Sequence, residues 1–236
     1  MRTGSLLATP ATANCAGLLS RGKHVLLGIS PFNSRYSDAY VLRLAQWAAG
    51  HFDTFDLLLA GDETALQLEA AGTPAGKARY RARRAVRRNR RAADAALHGL
   101  GARAPGARIL HVSDFYGDPV YEKLRHEAMD AFRADPAFRT ACLGMARTAI
   151  AGRLRSVHGR DAAISVAQAE HAVPYVFAEL PFFVQTPALL GLQESLLAYH
   201  RPWELGERIF AGDFSLAVDP AQGYVTVSET ALGECP

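Results

Sequence analysis

The 236-residue chain has only three cysteines, Cys15, Cys142 and Cys235. Their number is odd and no two share a metal-binding or redox spacing, which argues against a disulfide scaffold, a zinc site or a dithiol centre. No apolar run reaches the roughly 18–20 residues that a membrane span requires. The N-terminal MRTGSLLATPATANCAGLLSRGK has one early arginine and then only broken apolar pairs, a poor match to a signal peptide. Residues 1–20 are therefore expected to form a frayed, flexible leader. There is no G-x-x-x-x-G-K-[ST] loop, so nothing announces ATP binding. Internal repeats are absent, and no linker rich in Pro, Gly or Ser divides the chain. With 49% hydrophobic residues, residues 21–236 are expected to make one domain with a sizeable core. A reduced, cytoplasmic protein without a metal is the default, and a monomer is favoured.

What the chain does have is a marked charge asymmetry. The stretch RYRARRAVRRNRR, residues 79–91, holds eight arginines and no acid. Taking those eight from the overall +3 leaves −5 on the rest of the chain. Wound at about 100° per residue, Arg79, Arg83, Arg87 and Arg90 form one stripe. Arg81, Arg84, Arg88 and Arg91 form the stripe beside it, and Ala82, Ala85, Val86 and Ala93 fall opposite, where a helix would dock. Like charges at i and i+4 cost roughly 0.2–0.5 kcal/mol a pair in an isolated helix. Such a face points to an anionic partner. Guanidinium favours bidentate phosphate contacts, and the helix has no bulky apolar residues to sink into lipid, so nucleic acid is preferred over a membrane surface. With no aromatic-rich platform visible beside it, the helix is expected to grip a backbone without reading bases.

Elsewhere short apolar runs alternate with helical spacing. HVLLGIS (24–30), FDLLLA (55–60) and ARILHV (107–112) read as buried strands, each followed by a helix, and SLLAYH (195–200) and GYVTVSE (223–229) as two more. The pattern predicts an α/β fold, a single Rossmann-like domain with a mostly parallel sheet and helices on both faces. Ligands of such sheets sit beyond the carboxyl ends of the strands, where Ser30 closes the first strong one. Strand geometry alone leaves Ser30 open as a helix cap or a nucleophile. GISPF lacks the second glycine of a G-x-S-x-G elbow. In HAVPYVFAELPFF (171–183), Pro174 suits a helix start and Pro181 its end, placing Tyr175 and Glu179 one turn apart on one face. A carboxylate in such apolar company either points to water or waits for a cation.

These two segments carry a resemblance. HVLLGIS matches H-x-[LVI]-[LVI]-G-[LVI]-S and YVFAELP matches Y-[LVI]-x-x-E-x-P at every defined position. These are signatures of the cyclodipeptide synthases, and the similarity extends from about residue 20 to about 230. The resemblance implies a fold like the catalytic domain of the tyrosyl and tryptophanyl class I aminoacyl-tRNA synthetases. It implies two aminoacyl-tRNAs as partners, no DNA and no cofactor, and a ping-pong route through an aminoacyl-enzyme and a dipeptidyl-enzyme on Ser30. The tRNA ester is already activated, so no ATP is needed. By the same resemblance Tyr175 and Glu179 hold the amino group of the aminoacyl moiety, Tyr199 relays protons during ring closure, Asn33 helps shape the site, and His200 matches a histidine of some members and is counted with Asn33 as substrate-binding. Leu26, Gly28 and Leu58 would line the pocket for the first side chain, and an apolar first substrate is expected. The arginine helix would hold the first tRNA. Ser34 and Ser37 are assigned to capping or lining the turn around Asn33. A non-catalytic tRNA-binding protein and a serine hydrolase of aminoacyl esters stand as alternatives.

Overall fold

The computed structural model describes residues 5–158 and 163–229; Cys235 lies outside them. In chain order the elements are β1 (Leu6–Pro10), α1 (Ala13–Arg21), β2 (His24–Ile29), α2 (Asp38–His51), β3 (Thr54–Leu59), α3 (Thr64–Ala70) and α4 (Ala75–Leu100). They continue with β4 (Ile109–His111), α5 (Pro119–Ala134), α6 (Pro136–His158), α7 (Val166–Ala172), α8 (Pro174–Leu190), β5 (Ser195–Tyr199), α9 (Glu204–Ala211) and β6 (Gln222–Glu229).

The strands form one sheet in the order β1-β6-β5-β2-β3-β4, parallel except for β1 against β6. Every residue of β2 is buried, as expected of a strand covered on both faces. Alternate residues serve opposite layers. Leu26, Leu58 and Leu197 pack with the helices α5 to α9, whereas Val25, Leu27, Leu57, Leu59 and Leu196 pack with α1, α2 and α4. From β2 the chain runs outward through β3 to β4, then returns to place β5 on the other side of β2. The switch in direction opens a crevice between the carboxyl ends of β2 and β5. No single described helix is long and apolar enough to cross a membrane.

Two expectations fail. Residues 6–21 are not a frayed leader: β1 pairs with β6 from Leu6↔Glu229 to Pro10↔Val225, and α1 is capped by Thr12 at its start and by left-handed Gly22 at its end. Leu18 and Cys15 are buried, and Gly223 leaves room for Leu18, whose Cδ1 would stand 2.9 Å from a Cβ there. The broken apolar pairs thus belong to an edge strand and a short amphipathic helix. Pro181 does not end α8, which runs on to Leu190 with its non-helical residue at Gln185. Complete burial of Leu180, Phe182 and Phe183 outweighs the one backbone hydrogen bond that Pro181 cannot donate.

Candidate active site

The crevice is a chamber of about 290 Å³ whose walls include Ser30, Asn33, Tyr175, Glu179, Tyr199 and His200. Its residues come from the end of β2, the first turns of α8 and the end of β5. Ser30 leaves β2 half-buried. Its carbonyl accepts a hydrogen bond from Asn89 Nδ2 at 3.2 Å, so the arginine helix is tied to the Ser30 backbone. Asn89 is 1% exposed, and its signal was present: it is the one uncharged polar residue within RRNRR, and it falls on the docking side. Among the described residues no carboxylate or imidazole stands within hydrogen-bond reach of the Ser30 hydroxyl.

Gly28 is required by close approach. A Cβ there would lie 2.8 Å from Cε2 of Tyr199, whose ring crosses the end of β2. Tyr199 donates its hydroxyl to Oε2 of Glu179 at 2.9 Å. Glu179 has no cationic partner among the described residues, and burial pushes its carboxyl up to about 7 against the opposing pull of the Tyr199 hydrogen bond. Burial likewise raises the phenols of Tyr175 and Tyr199, and the nearby Glu179 adds to it, so both stay neutral donors. Tyr175 and Glu179 lie one turn apart on α8, as expected, and both face the chamber.

His200 is held at both nitrogens. The Tyr36 hydroxyl donates to the Gly28 carbonyl at 2.8 Å, which leaves its oxygen to accept from His200 Nδ1 at 2.9 Å. Asn33 Oδ1 accepts from the Arg35 N–H, so its Nδ2 is the atom that donates to His200 Nε2 at 2.9 Å. This network defines a neutral imidazole, and burial with Arg201 and Arg35 nearby depresses its pKa to about 4. His200 is therefore part of the frame and is not a free base for Ser30. Tyr36, buried and unnoticed in the sequence, closes the frame. Ser37 caps α2 and Ser34 lines the chamber.

Behind Ser30 a narrow crevice is walled by Gly28, Ile29, Leu58, Ala60, Val112, Glu179 and Tyr199. Gly28 and Leu58 thus line the same crevice as Ser30, and Val112 joins them. Leu26 lies in the core beneath, 0% exposed, because the Tyr199 ring fills the space over Gly28 and stops the crevice above it.

The arginine helix is longer than its arginines, spanning Ala75–Leu100, with Ala78, Ala82, Ala92, Ala93 and Ala96 buried. Arg79, Arg83, Arg84, Arg87, Arg88, Arg90 and Arg91 are exposed and Arg81 is half-buried. Among the described residues no cluster of His, Cys, Asp or Glu is gathered to hold a metal.

Residues 6–229 match the model of the family described as cyclodipeptide synthase. The chain is 47% identical over 231 residues to a cyclo(L-leucyl-L-leucyl) synthase of Bacillus subtilis, covering 98% of this chain and 92% of the relative. A crystal structure of a cyclodipeptide synthase from Bacillus thermoamylovorans superimposes with a TM-score of 0.89 at 38% identity, over 96% of this chain and 97% of that one. A Mycobacterium tuberculosis protein, whose structure demonstrates that cyclodipeptide synthetases are related to type I tRNA synthetases, superimposes with a TM-score of 0.83 at 26% identity over 98% and 96%.

Proposed function

The chain belongs to the cyclodipeptide synthase family, and from that premise we propose that it joins two amino acids, delivered as aminoacyl-tRNAs in the cytoplasm, into a 2,5-diketopiperazine through esters on Ser30. The observation that carries this reading is the convergence of Ser30, Tyr175, Glu179 and Tyr199 on one chamber at the switch point of the sheet.

The Ser30 oxygen attacks the carbonyl of the first aminoacyl-tRNA, and the terminal ribose hydroxyl of that tRNA leaves with a proton. One ester replaces another, so the step needs no ATP. The α-ammonium of the bound aminoacyl group sits against Glu179 and the Tyr175 hydroxyl. An α-amino group titrates near 7.7–8.0, and a carboxyl raised to about 7 is matched to take its proton. The freed amine attacks the ester carbonyl of the second aminoacyl-tRNA, whose terminal ribose hydroxyl leaves with the amine's proton, giving a dipeptide on Ser30. The new terminal amine then attacks the Ser30 ester, the amide ring closes, and the serine hydroxyl is restored. Tyr199, hydrogen-bonded to Glu179, passes protons between amine and carboxylate in these steps.

The walls Ile29, Leu58, Ala60 and Val112 are apolar, but the crevice holds only about 10 Å³ and must widen to take an aliphatic first side chain; the Bacillus subtilis relative is named for leucine at both positions. Leucine is accordingly the proposed first substrate. A bacterial host expressing the chain should release diketopiperazines with a leucyl residue, detected in the medium by mass spectrometry. Ser30→Ala should release none and trap no serine-linked aminoacyl species. Free amino acids in place of cyclic dipeptides would make the chain a hydrolase. Product formation unchanged in Ser30→Ala would remove Ser30 from the chemistry.

A further inference from the structure

Helix α3 carries two buried polar side chains that the fold itself does not use. Thr64 is 3% exposed and Gln67 is 8% exposed; they stand one turn apart on one face, and both line the Ser30 chamber. Among the described residues neither the Thr64 hydroxyl nor the Gln67 carboxamide has a hydrogen-bond partner. Their neighbours Ala65 and Leu68 pack against Ala78 and Ala82 of α4. The helix is thus fixed by its apolar side, while its polar side faces the chamber. A buried polar group without a partner costs stability. Kept at the wall of a chamber, it is a binding group for what enters.

The chemistry of this chamber includes a step that needs such a group. A diketopiperazine is a six-membered ring, and both of its amides are held cis. The dipeptidyl ester on Ser30 already contains the first of them. Until that amide is cis, the terminal amine cannot fold back onto the ester carbonyl, and fewer than about one non-proline peptide bond in a thousand is cis when left to itself. A cis amide shows its C=O and its N–H on the same edge, whereas a trans amide shows them on opposite edges. A glutamine carboxamide also has Oε1 and an Nε2–H on one edge. It therefore accepts from the N–H and donates to the C=O of a cis amide in two parallel hydrogen bonds, and makes only one of them with a trans amide. The Thr64 hydroxyl does not discriminate, since a single group meets either form.

We propose that Gln67 binds the cis amide of the dipeptidyl group on Ser30 and so selects the form that closes into the ring. The terminal amine then attacks the ester carbonyl. The new C–N bond forms as the bond to Ser30 Oγ breaks, and the proton lost by the amine ends on Oγ. The amide held by Gln67 changes no bond in this step. The proposal rests on the reading given under Proposed function and adds to it the residue that governs the last step.

The test supplies the purified enzyme with aminoacyl-tRNAs charged with labelled amino acids and compares wild type with Gln67→Met, Gln67→Leu and Thr64→Val. Acid quenching and protein mass spectrometry follow the aminoacyl and dipeptidyl esters on Ser30, and chromatography separates linear from cyclic dipeptide. In Gln67→Met the first acyl transfer should stay within about twofold of wild type while ring closure slows about tenfold or more, so that dipeptidyl-enzyme accumulates and its hydrolysis releases linear dipeptide. Gln67→Leu should behave in the same way. Both variants should melt at or above wild type, because the amide they replace has no partner in the free protein. Thr64→Val should keep the wild-type ratio of cyclic to linear product. Equal slowing of the first acyl transfer and of ring closure, an equal defect in Thr64→Val, or normal ring closure in folded Gln67→Met or Gln67→Leu would overturn the proposal and leave the catalytic reading standing. A wild type that forms neither an ester on Ser30 nor a diketopiperazine would sink the catalytic reading and this proposal with it.

Discussion

The same strands end in two polar clusters with nearly the same residue types. At the carboxyl ends stand Ser30, Asn33, His200, Tyr199 and Glu179, open to a chamber. At the amino ends His24 Nδ1 lies 2.8 Å from Ser195 Oγ, and His24 Nε2 lies 3.4 Å from Asp56 Oδ2. By composition the second cluster is the better hydrolase: serine, histidine and aspartate in line. Yet Ser195, Asp56 and His24 are only 1%, 3% and 4% exposed. Asp56 is also occupied by Arg108, whose Nη2 donates at 2.6 Å and whose backbone N–H donates at 2.8 Å. The amino-end cluster stitches β2, β3 and β5 together and leaves no space for a substrate. The carboxyl-end cluster has no triad but has space and an unpaired carboxylate. Access and an unfilled electrostatic demand separate a site from a staple. The histidine of the HVLLGIS signature therefore belongs to the staple, although it shares a motif with Ser30.

The sharpest way to break this comparison is to exchange the serines' fates. Ser30→Ala should lower acyl transfer by at least about a thousandfold with a normal melting temperature, since it removes the attacking atom. Ser195→Ala should keep turnover and lose about 1–2 kcal/mol of stability by leaving His24 Nδ1 buried and unpaired. Loss of activity in folded Ser195→Ala would show that the amino end is more than a staple.

Glu179→Gln comes next. Turnover should fall by about a hundredfold, because the amide neither pairs with an ammonium nor accepts its proton. Stability should move the other way. The carboxyl's pKa is raised in the folded state, so the fold binds its proton more tightly than the unfolded chain does. That contribution is present at low pH and is lost as pH rises from about 4.5 to about 7. At pH 8 the variant should therefore melt higher than wild type by the equivalent of about 1–3 kcal/mol, and near pH 4.5 the two should coincide. A lower melting temperature at pH 8 would mean that Glu179 is a structural residue.

How much of this was legible follows from where each signal resides. The sheet was readable because strands covered on both faces become uninterrupted apolar runs such as HVLLGI and DLLL. Ser30, Tyr175 and Glu179 were readable because two local motifs carry them. Tyr36 was not, because its role depends on a partner far along the chain, His200, and Asn89 showed only as a polar residue on the docking side, without its partner, the Ser30 carbonyl. The N-terminal strand was missed for the same reason. LLATP has no strong local pattern and is a strand only because β6 presents an edge to it.

Asp56→Asn tests the staple at smaller amplitude. Burial would raise the Asp56 carboxylate, but the His24 imidazole together with the Arg108 side chain and N–H holds it below its ordinary range. Its stabilising contribution is present above the unfolded value near 3.8 and is lost as pH falls below it toward the depressed folded value. The variant should cost about 2–3 kcal/mol at pH 7, with the Arg108 side half-exposed and partly compensated by water. The difference from wild type should shrink below pH 4, and turnover per folded molecule should hold.

The smallest effect concerns the frame. Tyr36→Phe deletes one oxygen that serves two neighbours, since it donates to the Gly28 carbonyl and accepts from His200. The loss leaves that carbonyl at the end of β2 without its hydroxyl donor and lets the imidazole carry its proton on either nitrogen. With the proton on Nε2, the ring faces the Asn33 amide donor for donor, and the amide must turn away or lose its Arg35 partner. About 1 kcal/mol of stability should be lost, with a severalfold fall in kcat and little change in KM, because the walls around Ser30 lose their register. A rise in KM at constant kcat would place Tyr36 in substrate binding instead, and an unchanged enzyme would mean that burial alone holds His200 in place.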